Sequence, residues 1–183
     1  MTTEIIIRII FTGIGATFCM DFWAIILKGI FGVRPLDYAL VGRWLSGMLK
    51  GKFRHQKITD SPPVRGEKII GWISHYAIGV LFASLPLFLS GASWFLNPKP
   101  GIALLSGLLS LTAPFLIMQP ALGFGIASAN VPSSARARLF SICAHSVFGL
   151  GLYITAKALS GIEADEVHTK EVLHLTRYVV DCF

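Results

Sequence analysis

From Ile9 to Leu27 the chain runs nineteen residues with one charged side chain, Asp21, and from Ile69 to Phe95 it runs twenty-seven with none. Residues 102–127 are again uncharged, and 138–158 carries charge only at Arg138 and Lys157. In hydrocarbon every backbone N–H and C=O must be satisfied internally, so an apolar stretch of about 20 residues reads as a helix crossing ~30 Å of lipid. The expectation is an all-α, polytopic membrane protein with four transmembrane helices at about 6–27, 69–95, 102–127 and 138–158. Together these form one four-span domain over residues 1–159, followed by an acidic C-terminal tail, 160–183.

Composition supports that class. Charged residues are 14% of the chain and hydrophobic residues 54%, with a mean hydropathy of +0.66. A water-soluble domain carries roughly 25% charged residues. The first apolar run is too long for the core of a signal peptide and no small-x-small cleavage site follows, so it reads as an uncleaved span. The connection "NPKP" (97–100) is a tight turn, and "SANVPSSARAR" (128–138) is small and polar around Pro132. Pro86, Pro114 and Pro120 fall within spans and predict kinks there.

Lysine and arginine orient the spans. The 28–68 connection holds nine of them: Lys28, Arg34, Arg43, Lys50, Lys52, Arg54, Lys57, Arg65 and Lys68. Arg136 and Arg138 flank the end of the 128–137 connection, whereas Arg8, Lys99, Lys157, Lys170 and Arg177 belong to the other side. Both connections with the excess therefore face the cytoplasm and both termini face the periplasm. The net charge of +6 is explained by loops beside anionic lipid, since no basic stripe interleaved with exposed aromatics points to nucleic acid. Within the first cytoplasmic loop, Tyr38, Val41, Leu45, Met48 and Leu49 recur at helical spacing after a capping Asp37, which predicts an interfacial helix. Cys19, Cys143 and Cys182 form no C-x-x-C pair and read as small apolar residues, with no metal motif.

Shifted by 70 residues the chain matches itself, with His75 over His145 and Gly79 over Gly149; shifted by 98, Met20-Asp21 falls on Met118-Gln119. Such matches suggest a duplicated helical hairpin, related by a pseudo-twofold axis along the membrane normal. The four polar residues Asp21, His75, Gln119 and His145 also fall at one level, about 9–12 Å inside the cytoplasmic ends of their spans at 1.5 Å per residue. Asp21 is the only acid within a span. Because an ionised carboxylate facing lipid is unfavourable by several kcal/mol, it is expected to turn inward toward an imidazole. In "SHYAIG" and "AHSVFG", each histidine stands one turn before a glycine, so each helix offers a polar ring with space beside it.

The segments "GIGATFCMDFW", "YALVGRWL", "SPPVRGE", "GWISHYAIG", "PFLIMQP" and "HSVFGLGLY" resemble a family of small bacterial inner-membrane proteins, a domain of unknown function of the DUF2938 type. The resemblance covers roughly residues 10–158. It implies a multi-span protein of the bacterial inner membrane and brings no activity, substrate or catalytic residue with it.

Four readings of the polar level stay open. Asp21, His75, Gln119 and His145 would be interhelical hydrogen-bonding residues of an assembly partner in a larger membrane complex. Alternatively, with Arg43, they would form a site that binds or moves a small ligand or ion, four spans then requiring a homodimer. A third reading is an enzyme acting on a lipid head group, with His and Asp as acid and base and Arg43, Arg65 or Arg136 on phosphate. The fourth is haem held between His75 and His145. No paired-acid, G-x-S-x-G or dinucleotide signature is present; "GFG" and "GLG" lack the strand and the further glycine.

Overall fold

The computed structural model describes the backbone of residues 2–33 and 35–181 and the side chains of 3–33 and 35–162. All regular structure among these residues is helical. Helix α1 (Thr2–Phe31) is the first span. Its Ile7, Phe11, Ile14, Phe18, Phe22 and Ile25 form an exposed stripe, as expected of a face turned to acyl chains.

The second span is α3 (Glu67–Phe82) followed by α4 (Leu85–Ser90). The break precedes Pro86, which has no N–H to continue the ladder. The third span begins as α5 (Pro100–Ser110), widens into a π-helical turn at Pro114–Met118, and ends in the short α6 (Gln119–Ala121). Proline at the first position of the wide turn supplies the reason for it, and the expected kinks at 86 and 114 are realised. The span stops at Ala121 rather than at 127, because Gly123 (φ +87°) and Gly125 (φ +77°) turn the chain away. The fourth span opens α7, a single helix over Ser134–Asp181. The backbone of the tail thus continues the span without a break; its side chains from 163 onward lie outside the described residues.

Four helices, Thr3–Phe31, Glu67–Ser90, Pro100–Ala121 and Ser134–Ile162, are long and apolar enough to cross a membrane. In the bundle α1 packs along both α3 and α7, and α7 packs along α5, while α3 and α5 meet at only a few points. At the end near the N-terminus, α4 closes against α5 over a core of Trp94, Phe95, Ala83, Phe148, Leu152 and Ala156. Arg8 is buried there and donates to the Phe95 carbonyl at 3.0 Å. At the opposite end the gap between the second and third spans is bridged by the long connection. His55 N–H donates to the Ala121 carbonyl at 2.8 Å and Ile58 N–H to Leu122 at 3.0 Å. The two basic connections therefore meet at one end of the bundle.

The helix predicted in that connection forms as α2 (Tyr38–Met48), capped by Asp37, whose carboxylate accepts from the Ala39 N–H at 3.0 Å. Its setting is not legible in its amphipathic pattern. Gly71 of α3 lies against the Tyr38 carbonyl and Gly42 of α2 against that of Glu67, so the two helices run antiparallel in backbone contact. Phe31 is ten residues past Asp21, about 15 Å along the helix. Yet α2 starts back at the level of Asp21, where the Tyr38 hydroxyl meets its carboxylate. Arg43 fixes the other end, donating through Nε and Nη2 to Glu67 at 2.8 Å each and through Nη1 to the carbonyls of Ser61 (2.8 Å) and Ile58 (3.3 Å).

The sequence self-match has a mixed counterpart. Gly79 and Gly149, equivalent at a shift of 70, are both helix crossing points: Gly79 against Thr17 of α1, Gly149 against Ala103 and Leu104 of α5. A pseudo-twofold axis would also relate the α1–α7 contact to that between α3 and α5. The first is extensive and the second is slight.

Candidate functional site

Asp21 stands two-thirds of the way along α1, and three donors from two other helices converge on its carboxylate. His75 Nε2 lies 3.0 Å from Oδ1, the Tyr76 hydroxyl donates to Oδ2 at 3.0 Å, and the Tyr38 hydroxyl reaches Oδ1 at 3.4 Å. The Tyr38 hydroxyl is also 2.9 Å from His75 Nε2, and its ring stacks on the imidazole with centroids 4.1 Å apart. Trp72, one turn before Tyr76, closes the aromatic wall with its ring edge toward Tyr38, centroids 4.7 Å apart. The Asp21 and His75 side chains keep 15% and 13% of their surface exposed, so the pair is secluded without being sealed.

Local sequence explains how these groups meet. Positions 72, 75 and 76 lie on one side of α3 because residues three and four apart share a helix face. Tyr38 is brought to them by α2 alone, and α2 approaches so closely because Gly42 and Gly71 present no side chains to each other's helix. Burial raises the Tyr38 phenol above its ordinary pKa, and the Asp21 carboxylate beside it raises it further, so Tyr38 stays a hydrogen-bond donor.

Two proton arrangements satisfy this geometry. In one, His75 Nε2–H and the Tyr38 hydroxyl both donate to an ionised Asp21. In the other, Asp21 carries the proton and donates it from Oδ1 to a bare Nε2, while the Tyr38 hydroxyl stays against Oδ1. Only protons differ between them, because Nε2, Oδ1 and the Tyr38 oxygen are already within 2.9–3.4 Å of one another.

The other residues singled out from the sequence go elsewhere. His145 turns to α5, its Nδ1 2.6 Å from Ser110 Oγ, and Ser110 in turn donates to the Gly107 carbonyl at 2.6 Å. Since that hydroxyl proton is committed, Nδ1 of His145 is the donor. Gln119 is buried directly after the π-helical turn and accepts from Ser128 Oγ at 3.1 Å. Arg43, expected to face a ligand, instead holds α2 to Glu67, Ile58 and Ser61.

The space read beside each histidine is occupied by Thr17 at Gly79 and by Ala103 and Leu104 at Gly149, the space a haem between them would need. Among the described residues no three His, Cys, Asp or Glu side chains are gathered to hold a metal ion.

Sequence reasoning missed Tyr38, Trp72 and Tyr76 in the cluster, and His55 outside it. Trp72 and Tyr76 were visible as neighbours of His75 on one helix face, whereas Tyr38 read as part of an amphipathic face. His55 is 5% exposed at the seam between the long connection and the third span. Its Nδ1 is 2.9 Å from Ser61 Oγ, and its Nε2 is buried without a partner among the described residues. Burial lowers its pKa below 6.5, and the nearby Lys52 and Arg43 charges lower it further. The unfolded chain then binds more protons than the folded one in the window just below pH 6.5, so folded stability is full above that pH and is lost as pH falls through it. Thermal midpoints measured between pH 7.5 and 5 should fall more for the wild type than for His55→Gln. Parallel curves would remove this contribution.

Four apolar spans around one carboxylate, imidazole and phenol cluster define a polytopic helical membrane protein with a polar group secluded at one end of the bundle. The chain belongs to the DUF2938 family, proteins of unknown function, whose model matches residues 10–159. That match takes in most of the bundle, with Asp21, Tyr38, Trp72, His75 and Tyr76 inside it. No curated protein and no solved structure matches the chain.

Proposed function

We propose that Asp21 and His75 form a protonatable site through which this protein binds or moves a small ligand or ion. On this proposal the site lies in the cytoplasmic half of the bundle in a bacterial inner membrane, with both termini periplasmic. What supports the sidedness is the lysine and arginine excess of the two connections that meet beside the cluster. The observation that carries the reading is the mutual approach of Asp21 Oδ1, His75 Nε2 and the Tyr38 hydroxyl to within 2.9–3.4 Å, which supports two proton arrangements without heavy-atom movement. A site of this kind takes up or releases a proton with little reorganisation, the property a proton-linked path requires.

Because Tyr38 belongs to α2, the protonation state also acts on how firmly α2 is held against α1 and α3. The test is reconstitution of the full chain in liposomes with a pH-sensitive dye trapped inside. Under an imposed pH gradient the wild type should dissipate the gradient at least tenfold faster than Asp21→Asn. Equal rates, with both proteins folded, would leave the cluster a packing role only.

That packing role is the second reading, and a specific observation favours it. Side chains on two neighbouring helices engage both carboxylate oxygens, which is how a bundle component would clamp α2 for assembly with a partner chain.

A further inference from the structure

At the end of the bundle where the two basic connections meet, a cavity of 290 Å3 opens between residues 54–56 and the turn after the third span. Its wall includes Arg54, His55, Gln56, Gly123, Gly125 and Asn130. No carboxylate is part of it, and Arg54, its one arginine or lysine, is exposed. The backbone N–H groups of Gln56 and Gly125 have no acceptor among the described residues. An exposed guanidinium beside backbone donors with no protein acceptor is the donor set that recognises an anion.

The cavity is held in shape by tertiary bonds rather than by chance loop packing. Gly123 lies directly against the Gln56 carbonyl, leaving no room for a side chain. The His55 N–H donates to Ala121 at 2.8 Å, and Asn130 N–H to Phe124 at 2.9 Å. Behind the wall, Ala127 and Ser128 are held in the left-handed region at φ +47° and +60°, uncommon for residues with a side chain. Ser128 is tied there by Gln119 and Ala127 by Arg138, whose Nε donates to its carbonyl at 2.7 Å. Backbone strain kept in place by surrounding bonds gathers at ligand sites.

We propose that this cavity binds a phosphate-bearing group, with Arg54 supplying charge and the Gln56 and Gly125 amides supplying neutral donors. At 290 Å3 it lies at the small end of ligand pockets, about 300–1,000 Å3, and suits a phosphate with a short substituent. The group is the head of an anionic phospholipid or a free phosphate, and the chemistry is the same for both.

The experiment uses the full chain in zwitterionic nanodiscs. Inorganic phosphate is titrated in one arm, and phosphatidylglycerol replaces a fifth of the lipid in the other, with thermal midpoint and lipid retention in native mass spectrometry as readouts. Saturable stabilisation by phosphate alone identifies a soluble ligand; selective retention of phosphatidylglycerol identifies a head group. In either case Arg54→Gln should weaken binding at least tenfold. Lys57→Gln should leave it unchanged, since Lys57 is on the same connection but pairs with Asp60 outside the cavity. No binding in either arm, or equal losses in the two variants, overturns the proposal.

Discussion

Replacing Asp21 with alanine is expected to lower the stability of the bundle by about 2–4 kcal/mol, since it leaves Tyr76 without its acceptor and Tyr38 and His75 with only each other. An interhelical hydrogen bond within a membrane contributes roughly 0.6–2 kcal/mol, and the cluster is too secluded for water to replace the lost bonds in full. Asp21→Asn keeps one acceptor oxygen and should lose about half as much. Denaturation of the purified protein by sodium dodecyl sulfate, monitored through helix content, measures both. A double-mutant cycle with Tyr38→Phe should show coupling, because the phenol of Tyr38 meets both Asp21 and His75. Additive losses, or a loss under about 0.5 kcal/mol for Asp21→Ala, would mean that the carboxylate does not hold α2 to the spans. Stability alone does not separate the proton-linked reading from the packing one; the flux comparison does.

The second large effect is expected at Gly71. Glycine to alanine inside a helix ordinarily stabilises by about 1 kcal/mol. Here the new methyl group would lie on the Tyr38 carbonyl, and backbone atoms on both sides have no rotamer to change. The two helices must separate, and overpacking of this kind costs about 3 kcal/mol. The sign of the usual preference is therefore reversed. Gly71→Ala should release α2, exposing Val41, which is 4% exposed when α2 is docked. A Val41→Cys reporter should then react with a maleimide much faster in the Gly71→Ala background. Gly29→Ala is the matched control, a helical position with nothing nearby, and should be neutral or stabilising. Unaltered Val41→Cys labelling in Gly71→Ala would contradict the antiparallel α2–α3 contact.

The grounds for these two effects lie at different levels of the structure. That Asp21 seeks a partner follows from its being the one acid in an apolar run, and His75 as that partner follows from matching depth along rising helices. Matching depth did not bring Gln119 and His145 into the same cluster. A rise of 1.5 Å per residue puts Gln119 at that level only in a regular helix, and the π-helical turn at Pro114–Met118 changes both rise and facing beyond it; His145 is instead engaged by Ser110 of α5. Arg43 went elsewhere for another reason: a guanidinium on an amphipathic helix has no stated partner until Glu67, 24 residues later, is brought beside it.

What the amino-acid order by itself determined is the set of four spans, the capped helix in the long connection, and the end of the bundle at which the basic residues collect. Each depends on a local physical requirement: satisfied backbone in hydrocarbon, an N-cap acceptor, charge kept out of lipid. Only the tertiary structure decided that α2 returns to the level of Asp21, that Tyr38 and Tyr76 complete its coordination, and that His145 turns to Ser110. Those outcomes depend on which helices come into backbone contact. Such contact is set by glycines whose partners lie tens of residues away, and periodicity along one helix carries no record of them.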